Sequence, residues 1–279
     1  MANRLQWRKK KKWLQWVNIA LVVYLLCGIA LYLLQDRFLF HPAALTRTSP
    51  YHFSAPNREI NVAADETSNM NVVQFFTNDS LSRGVVLYFH GNRKNISWYA
   101  TYASDFTENG YEVWMIDYPG FGKSTGRLTE QKLYDDAMQV YIMARSKFTA
   151  DRIILYGKSL GTGIASWLAA RRSCKELILE TPYYSMTSLV QHYMPIYPVG
   201  TLLKYKLPVY KYLNLVNAPV TIFHGAADKV IPYHNAHRLT AAMHSKDRFI
   251  TIENAGHKNL NDYPQFHNAL DSLLNNVQK

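Results

Sequence analysis

The sequence predicts an α/β protein: a mostly parallel central sheet with helices on both faces, preceded by one transmembrane helix. Three observations carry that prediction. Short apolar runs rich in β-branched and aromatic residues alternate with longer helical stretches along most of the chain. Those runs are apolar nearly throughout, as strands buried on both faces are, rather than at every second residue. Near the amino terminus, residues 17–34 form an apolar stretch with no formal charge.

In order, the chain opens on a basic tip, residues 1–16, with Arg4, Arg8, Lys9, Lys10, Lys11 and Lys12 set among Trp7, Trp13 and Trp16. Positive charge is retained on the cytoplasmic side, and tryptophans favour the headgroup boundary. The tip is therefore expected in the cytoplasm, with residues 17–34 as the anchor. The remainder then lies on the non-cytoplasmic side, periplasmic in a bacterium and lumenal or extracellular in a eukaryote. In the eukaryotic case Asn78-Asp79-Ser80 and Asn95-Ile96-Ser97 have the glycan-acceptor pattern. At about 1.5 Å per residue the apolar run nearly crosses a ~30 Å hydrocarbon core. A cleaved leader would end in small residues, and residues 35–40 provide no such site. Six charges of the formal +11 belong to the tip, leaving +5 for everything else, so nucleic-acid binding is not inferred. Cys27 lies in the anchor and Cys174 outside it, so no internal disulfide is expected.

Residues 35–57, with Pro42, Pro50 and Pro56, read as a linker, and residues 58–279 as a single domain. Strands are expected at about 59–63, 72–76, 85–89, 113–116, 153–156, 177–179, 220–223 and 249–252. The first two should form the antiparallel edge of the sheet. Helices are expected over 98–108, 130–147, 163–172, 235–244 and 263–277. Between the strands at 177–179 and 220–223 lies an insertion, about 183–217, rich in tyrosine and methionine. It is either an apolar wall for an acyl chain or ordinary helix packing, which are chemically alike.

The chemistry concentrates at Gly157-Lys158-Ser159-Leu160-Gly161, between the apolar run 153–156 and a small-residue helix. A serine between two glycines on a sharp strand-to-helix turn is the nucleophile elbow. Gly157 and Gly161 serve it structurally, because a side chain at either would clash within the turn. A serine hydroxyl needs a base, and the base an orienting acid. Asp228 follows the strand at 220–223, and His257 follows the strand at 249–252. Both therefore sit past carboxyl ends of strands, where sites of open α/β sheets assemble. Ser159 is the expected nucleophile, His257 its base and Asp228 the acid that holds the imidazole. Glu180 is the rival acid and is expected instead to order the turn at Pro182. The oxyanion hole is expected from the backbone amides of Leu160, after the nucleophile, and Asn92, after the strand at 85–89. His90 is expected to shape that loop rather than move protons.

His90-Gly91-Asn92, then Asp117-Tyr118-Pro119-Gly120-Phe121-Gly122-Lys123-Ser124, then the elbow, Asp228 and His257 together resemble the α/β-hydrolase superfamily. Within it the chain is similar to the single-pass, amino-terminally anchored branch of small serine hydrolases, over roughly residues 36 to 275. The resemblance implies the α/β-hydrolase fold and gives Gly120 and Gly122 a loop-shaping role. Lys258 departs from the acidic or amide residue usual after the histidine.

Gly122-Lys123-Ser124 and Gly157-Lys158-Ser159 mimic the end of a P-loop. Asp117 and Arg152 stand where its first glycine belongs, and Thr125 replaces the third glycine of a dinucleotide fingerprint. No nucleotide, cofactor or metal is implied, and His234-x-x-His237 reads as a surface pair. The expected activity is hydrolysis of carboxylic esters or thioesters, lipid esters among them. A peptidase or amidase using the same triad, and a silent binding protein on the same fold, are the alternatives.

Overall fold

The computed structural model describes residues 2–63, 68–77 and 82–275, and side chains from residue 12 onward. The Asn78-Asp79-Ser80 pattern and the end of the last expected helix lie outside the described residues, as do the side chains of the tip cations before Lys12.

Eight strands form one sheet: β1 (Asn57–Ala63), β2 (Asn69–Phe75), β3 (Gly84–Phe89), β4 (Tyr111–Ile116), β5 (Ile153–Lys158), β6 (Glu176–Glu180), β7 (Val220–Gly225) and β8 (Arg248–Ile252). Their spatial order is β8-β7-β6-β5-β3-β4-β2-β1. Only the pairings of β2, with β1 and with β4, are antiparallel. The expected antiparallel edge is thus one reversed strand, and β1 outside it runs with the rest.

The apolar runs are strands because both sheet faces are covered. In β3, Val85, Leu87 and Phe89 point into one core, while Val86 and Tyr88 point into the other. The first core lies under α2 (Glu130–Arg145) and α3 (Gly161–Ala169), and the second under residues 96–107 and the closing helix Pro264–Asn275. Thr129 caps α2 by accepting from Lys132 N at 3.1 Å. The buried stripe Leu133, Tyr134, Ala137, Val140, Tyr141 and Ala144 then follows helical spacing. The expected helix at 98–108 is broken into two short α turns around a 3₁₀ turn, and that at 235–244 is Tyr233–His237 followed by 3₁₀ turns.

Helix α1 is continuous from Ala2 to Leu39, past both ends of the expected anchor. Asp36 and Arg37 mark where apolarity stops, but helical hydrogen bonding does not depend on apolarity. The stretch beyond it, expected as a linker, is built into the domain. Phe40 is buried, and His41–Pro42 pairs in parallel with Arg93–Lys94. The insertion holds α4 (Met186–Tyr193) and two shorter helices, Val199–Leu202 and Val209–Leu213. Most of its tyrosines pack internally: Tyr183 and Tyr205 are buried, and Tyr184 stacks on Tyr210. Tyr193 and Tyr197 instead face α1.

Candidate active site

The elbow sits where β5 ends. Ser159 has φ 51°, in the left-handed region that side chains rarely occupy. The turn is tight enough that a Cβ on Gly157 would lie 2.5 Å from the Gly161 carbonyl oxygen. A Cβ on Gly161 would lie 1.9 Å from that of Phe89. Strand β6 clamps the turn: Ser159 N donates to Glu180 O at 2.9 Å. The hydroxyl is thereby raised off the sheet beside the start of α3.

His257 comes to this hydroxyl from the loop after β8. Its Nε2 lies 3.0 Å from Ser159 Oγ, and its Nδ1 lies 2.8 Å from Asp228 Oδ2. Asp228, on the loop after β7, is fixed through Oδ1 by the amides of Val230 and Ile231, both at 2.8 Å. Burial works against its charge, but the hydrogen bond and charge of His257 outweigh it and hold the carboxyl below the usual aspartate range. Behind Asp228 stands His224, which sequence reasoning missed. It is fully buried, with Nε2 3.0 Å from Ile231 O and 3.7 Å from Asp228 Oδ2. Burial pushes its pKa down, against the raising charge of Asp228. Its spacing of four from Asp228 was the available signal.

The loop after β3 lies against the elbow, where a Cβ on Gly91 would sit 3.7 Å from Ser159 Cβ. The backbone N–H groups of Asn92 and Leu160 have no acceptor among the described residues. Both are therefore available to an incoming oxygen. The Asn92 carbonyl accepts from His41 N at 2.8 Å, and its Nδ2 donates to Leu39 O at 2.6 Å. His90 is buried and braces this loop. Its Nδ1 lies 2.7 Å from Gly91 O, and its Nε2 faces Asp117 Oδ1 at 3.2 Å. Nδ1 is thus engaged by the loop itself, while Nε2 lies close to Asp117 without making a hydrogen bond.

Glu180 does not order the Pro182 turn as expected. The β5–β6 register sets it directly beside Lys158, and their side chains form a buried ion pair. The Tyr156 hydroxyl also donates to Glu180, at 2.5 Å. Lys158 lies over the Tyr102 ring at 4.6 Å, with Asn261 Oδ1 at 3.4 Å. Asn261 in turn donates to Asp105 at 3.1 Å. A charged network therefore lies beside Ser159. His234 packs its ring near that of His192, and His237 stacks on Tyr233. At the opposite end of the strands a cavity of about 690 Å³ is lined by Arg83, Arg152, Arg171, Arg172 and Lys175. It lies at the strand starts, away from Ser159.

The family described as serine aminopeptidase, S33, matches residues 80–214, a span that includes the elbow and ends before Asp228 and His257. The chain is 27% identical over 243 residues to the protein Rv2307c of Mycobacterium tuberculosis, covering 86% of each. It is 28% identical to alpha/beta hydrolase domain-containing protein 17C of Xenopus tropicalis, over 69% of this chain and 62% of that one. Among solved structures, an esterase of Pyrococcus furiosus superposes with a TM-score of 0.66 at 14% identity, covering 85% of this chain and 97% of the other. An esterase domain from Rhodothermus marinus gives 0.60 at 16% identity, covering 78% and 96%.

Proposed function

We propose that the chain, which has the α/β-hydrolase fold, is a membrane-anchored serine hydrolase of that superfamily acting on carboxylic esters or thioesters. The observation that carries this reading is the position of His257, within hydrogen-bond reach of Ser159 Oγ on one side and Asp228 Oδ2 on the other. With Nδ1–H donating to Asp228, Nε2 presents its lone pair to the serine hydroxyl. Ser159 Oγ attacks the substrate carbonyl carbon as its proton passes to Nε2. The oxyanion takes hydrogen bonds from the Asn92 and Leu160 amides. Collapse breaks the bond to the leaving group, which takes the proton from His257. Water then attacks the acyl-serine, giving a proton to His257. The second collapse releases the acid and returns the proton to Ser159.

The anchor reading rests on α1, whose residues from Lys12 to Leu39 are long and apolar enough to cross a bilayer. The basic tip supports a cytoplasmic amino terminus with the domain on the other side.

The test is Ser159→Ala. It should abolish labelling by a fluorophosphonate and lower ester turnover by about 10⁴-fold or more. Undiminished hydrolysis by that variant would sink the assignment. The matched family description favours amide cleavage as a second reading. A peptidase holding a free ammonium needs an available carboxylate, whereas Glu180 and Asp228 are engaged by Lys158 and His257. Comparing kcat/KM for an ester and an anilide of one acyl group separates the two.

A further inference from the structure

We infer that the insertion is a second membrane element, with residues 193–203 seated in the non-cytoplasmic leaflet beside α1. The inference rests on α1 spanning the bilayer.

The first observation is depth. Tyr24 stacks on Tyr197 with ring centroids 4.7 Å apart, and its hydroxyl donates to Ile196 O at 2.9 Å. Gly28 leaves room for that ring, since a Cβ there would lie 3.2 Å from Tyr197 Cε1. Tyr24 is ten residues before the end of the expected span, or about 15 Å along the helix. A span at 17–34 therefore carries Ile196 and Tyr197 below the headgroups with it.

Composition agrees. Residues 181–203 contain no Asp, Glu, Lys or Arg, where the chain's 18% of charged residues would place about four. Ile196 is 71% exposed and Tyr193 55%, an arrangement costly in water and suited to lipid. Exposed Lys204 and Lys206 follow immediately, where anionic headgroups would meet them.

Carbonyl pairing is the third observation. Irregular chain survives in hydrocarbon only if its polar groups are paired within the protein. Every carbonyl from Met194 to Gly200 has a donor. Gln191 Nε2 serves Met194 and Pro195, the Tyr24 hydroxyl serves Ile196, and Val199 N serves Tyr197. Thr201 N, Leu203 N and Lys206 Nζ serve Pro198, Val199 and Gly200. Pro195 and Pro198 have no N–H to satisfy, which leaves the N–H groups of Ile196 and Gly200 as the ones without an acceptor among the described residues of this stretch. An ordinary surface loop leaves its carbonyls to water.

The surface reaches the catalytic loops. Tyr193 donates to the carbonyls of Lys229 and Val230, on the loop whose amides hold Asp228. An apolar cavity of about 220 Å³ between α1 and the insertion is lined by Leu31, Phe38, Tyr193 and Met194. The proposed substrate is accordingly an ester already resident in the leaflet.

The test labels Ile196→Cys, in a Cys27→Ser, Cys174→Ala background, with an environment-sensitive fluorophore. The full chain is reconstituted in phosphatidylcholine vesicles. Blue-shifted emission, quenched by brominated acyl chains and not by aqueous iodide, is expected. Quenching by iodide alone, in protein that resists alkaline carbonate extraction, overturns this inference and leaves the anchor reading intact. Release by carbonate overturns the anchor reading and this inference with it. Ile196→Asp should also lower turnover of a vesicle-embedded ester by about tenfold while sparing a water-soluble short-chain ester. Equal losses on both substrates count against the leaflet role.

Discussion

Asn92 Nδ2 donates to the carbonyl of Leu39 across 2.6 Å, joining the last residue of α1 to the loop beside Ser159. The same residue supplies a proposed oxyanion donor from its backbone. The side chain thus holds the loop that its own amide serves.

Asn92→Ala keeps the backbone N–H and removes only this tie. Small misplacements of a catalytic group are expensive, so kcat should fall by about tenfold or more with little change in KM. A matched rise in KM at constant kcat would assign Asn92 to substrate binding instead.

The proposed acid and the histidine behind it should separate in kinetics. Asp228→Asn should cost about 10⁴-fold in kcat, because the amide no longer fixes the required tautomer of His257. His224→Phe removes the hydrogen bond to Ile231 O and leaves both amides on Asp228 Oδ1, so about tenfold is expected. Because the Asp228 pKa is lowered in the fold, its stabilising contribution is present above about pH 4 and is lost as pH falls through the native value. Urea unfolding of wild type and Asp228→Asn at several acidic pH values measures that loss.

Lys158 and Glu180 form a buried pair, and removing one partner strands the other. Lys158→Met should destabilise the domain by about 3–5 kcal/mol, read from denaturant midpoints at constant m-value. The double variant Lys158→Met, Glu180→Leu should recover most of that loss. A double variant no better than the single one would show that Tyr156 and Asn261, rather than the pair, set the cost.

Asp105 gives a pH signature of the opposite sign. Burial lifts its carboxyl to about 6, with Glu180 adding to the rise and His267 and Lys158 opposing it. The folded chain therefore holds a proton that the unfolded chain releases. Its stabilising contribution is full below about pH 4 and lost as pH rises through about 6. Asp105→Asn should flatten stability across that window and gain about 2 kcal/mol at about pH 8. An unchanged slope would assign the titration elsewhere.

Much of this was legible because the signals were local. The run Val85–Phe89 is apolar throughout, and both of its faces are indeed covered by cores. Gly157 and Gly161 announce a turn too tight for side chains, and Asp228 and His257 occur in the order and strand context that such a serine requires. What stayed hidden depends on register and distance. The pairing of Lys158 with Glu180 appears only once β5 and β6 are aligned. The contact of Tyr24 with Ile196 spans 172 positions, which no local pattern reports. The run of α1 to Leu39 was masked because charge at Asp36 and Arg37 ends an apolar stretch without ending a helix.

The stacked rings of Tyr24 and Tyr197 make the proposed anchor a strut rather than a leash. A leashed domain samples a volume and meets its substrate at a rate set by bulk molarity. A strut holds the cleft at one height and tilt, so the search becomes two-dimensional and its rate follows the surface mole fraction of the ester. Spreading the same ester through inert lipid should slow turnover, while adding more vesicles of unchanged composition should not raise the rate per enzyme.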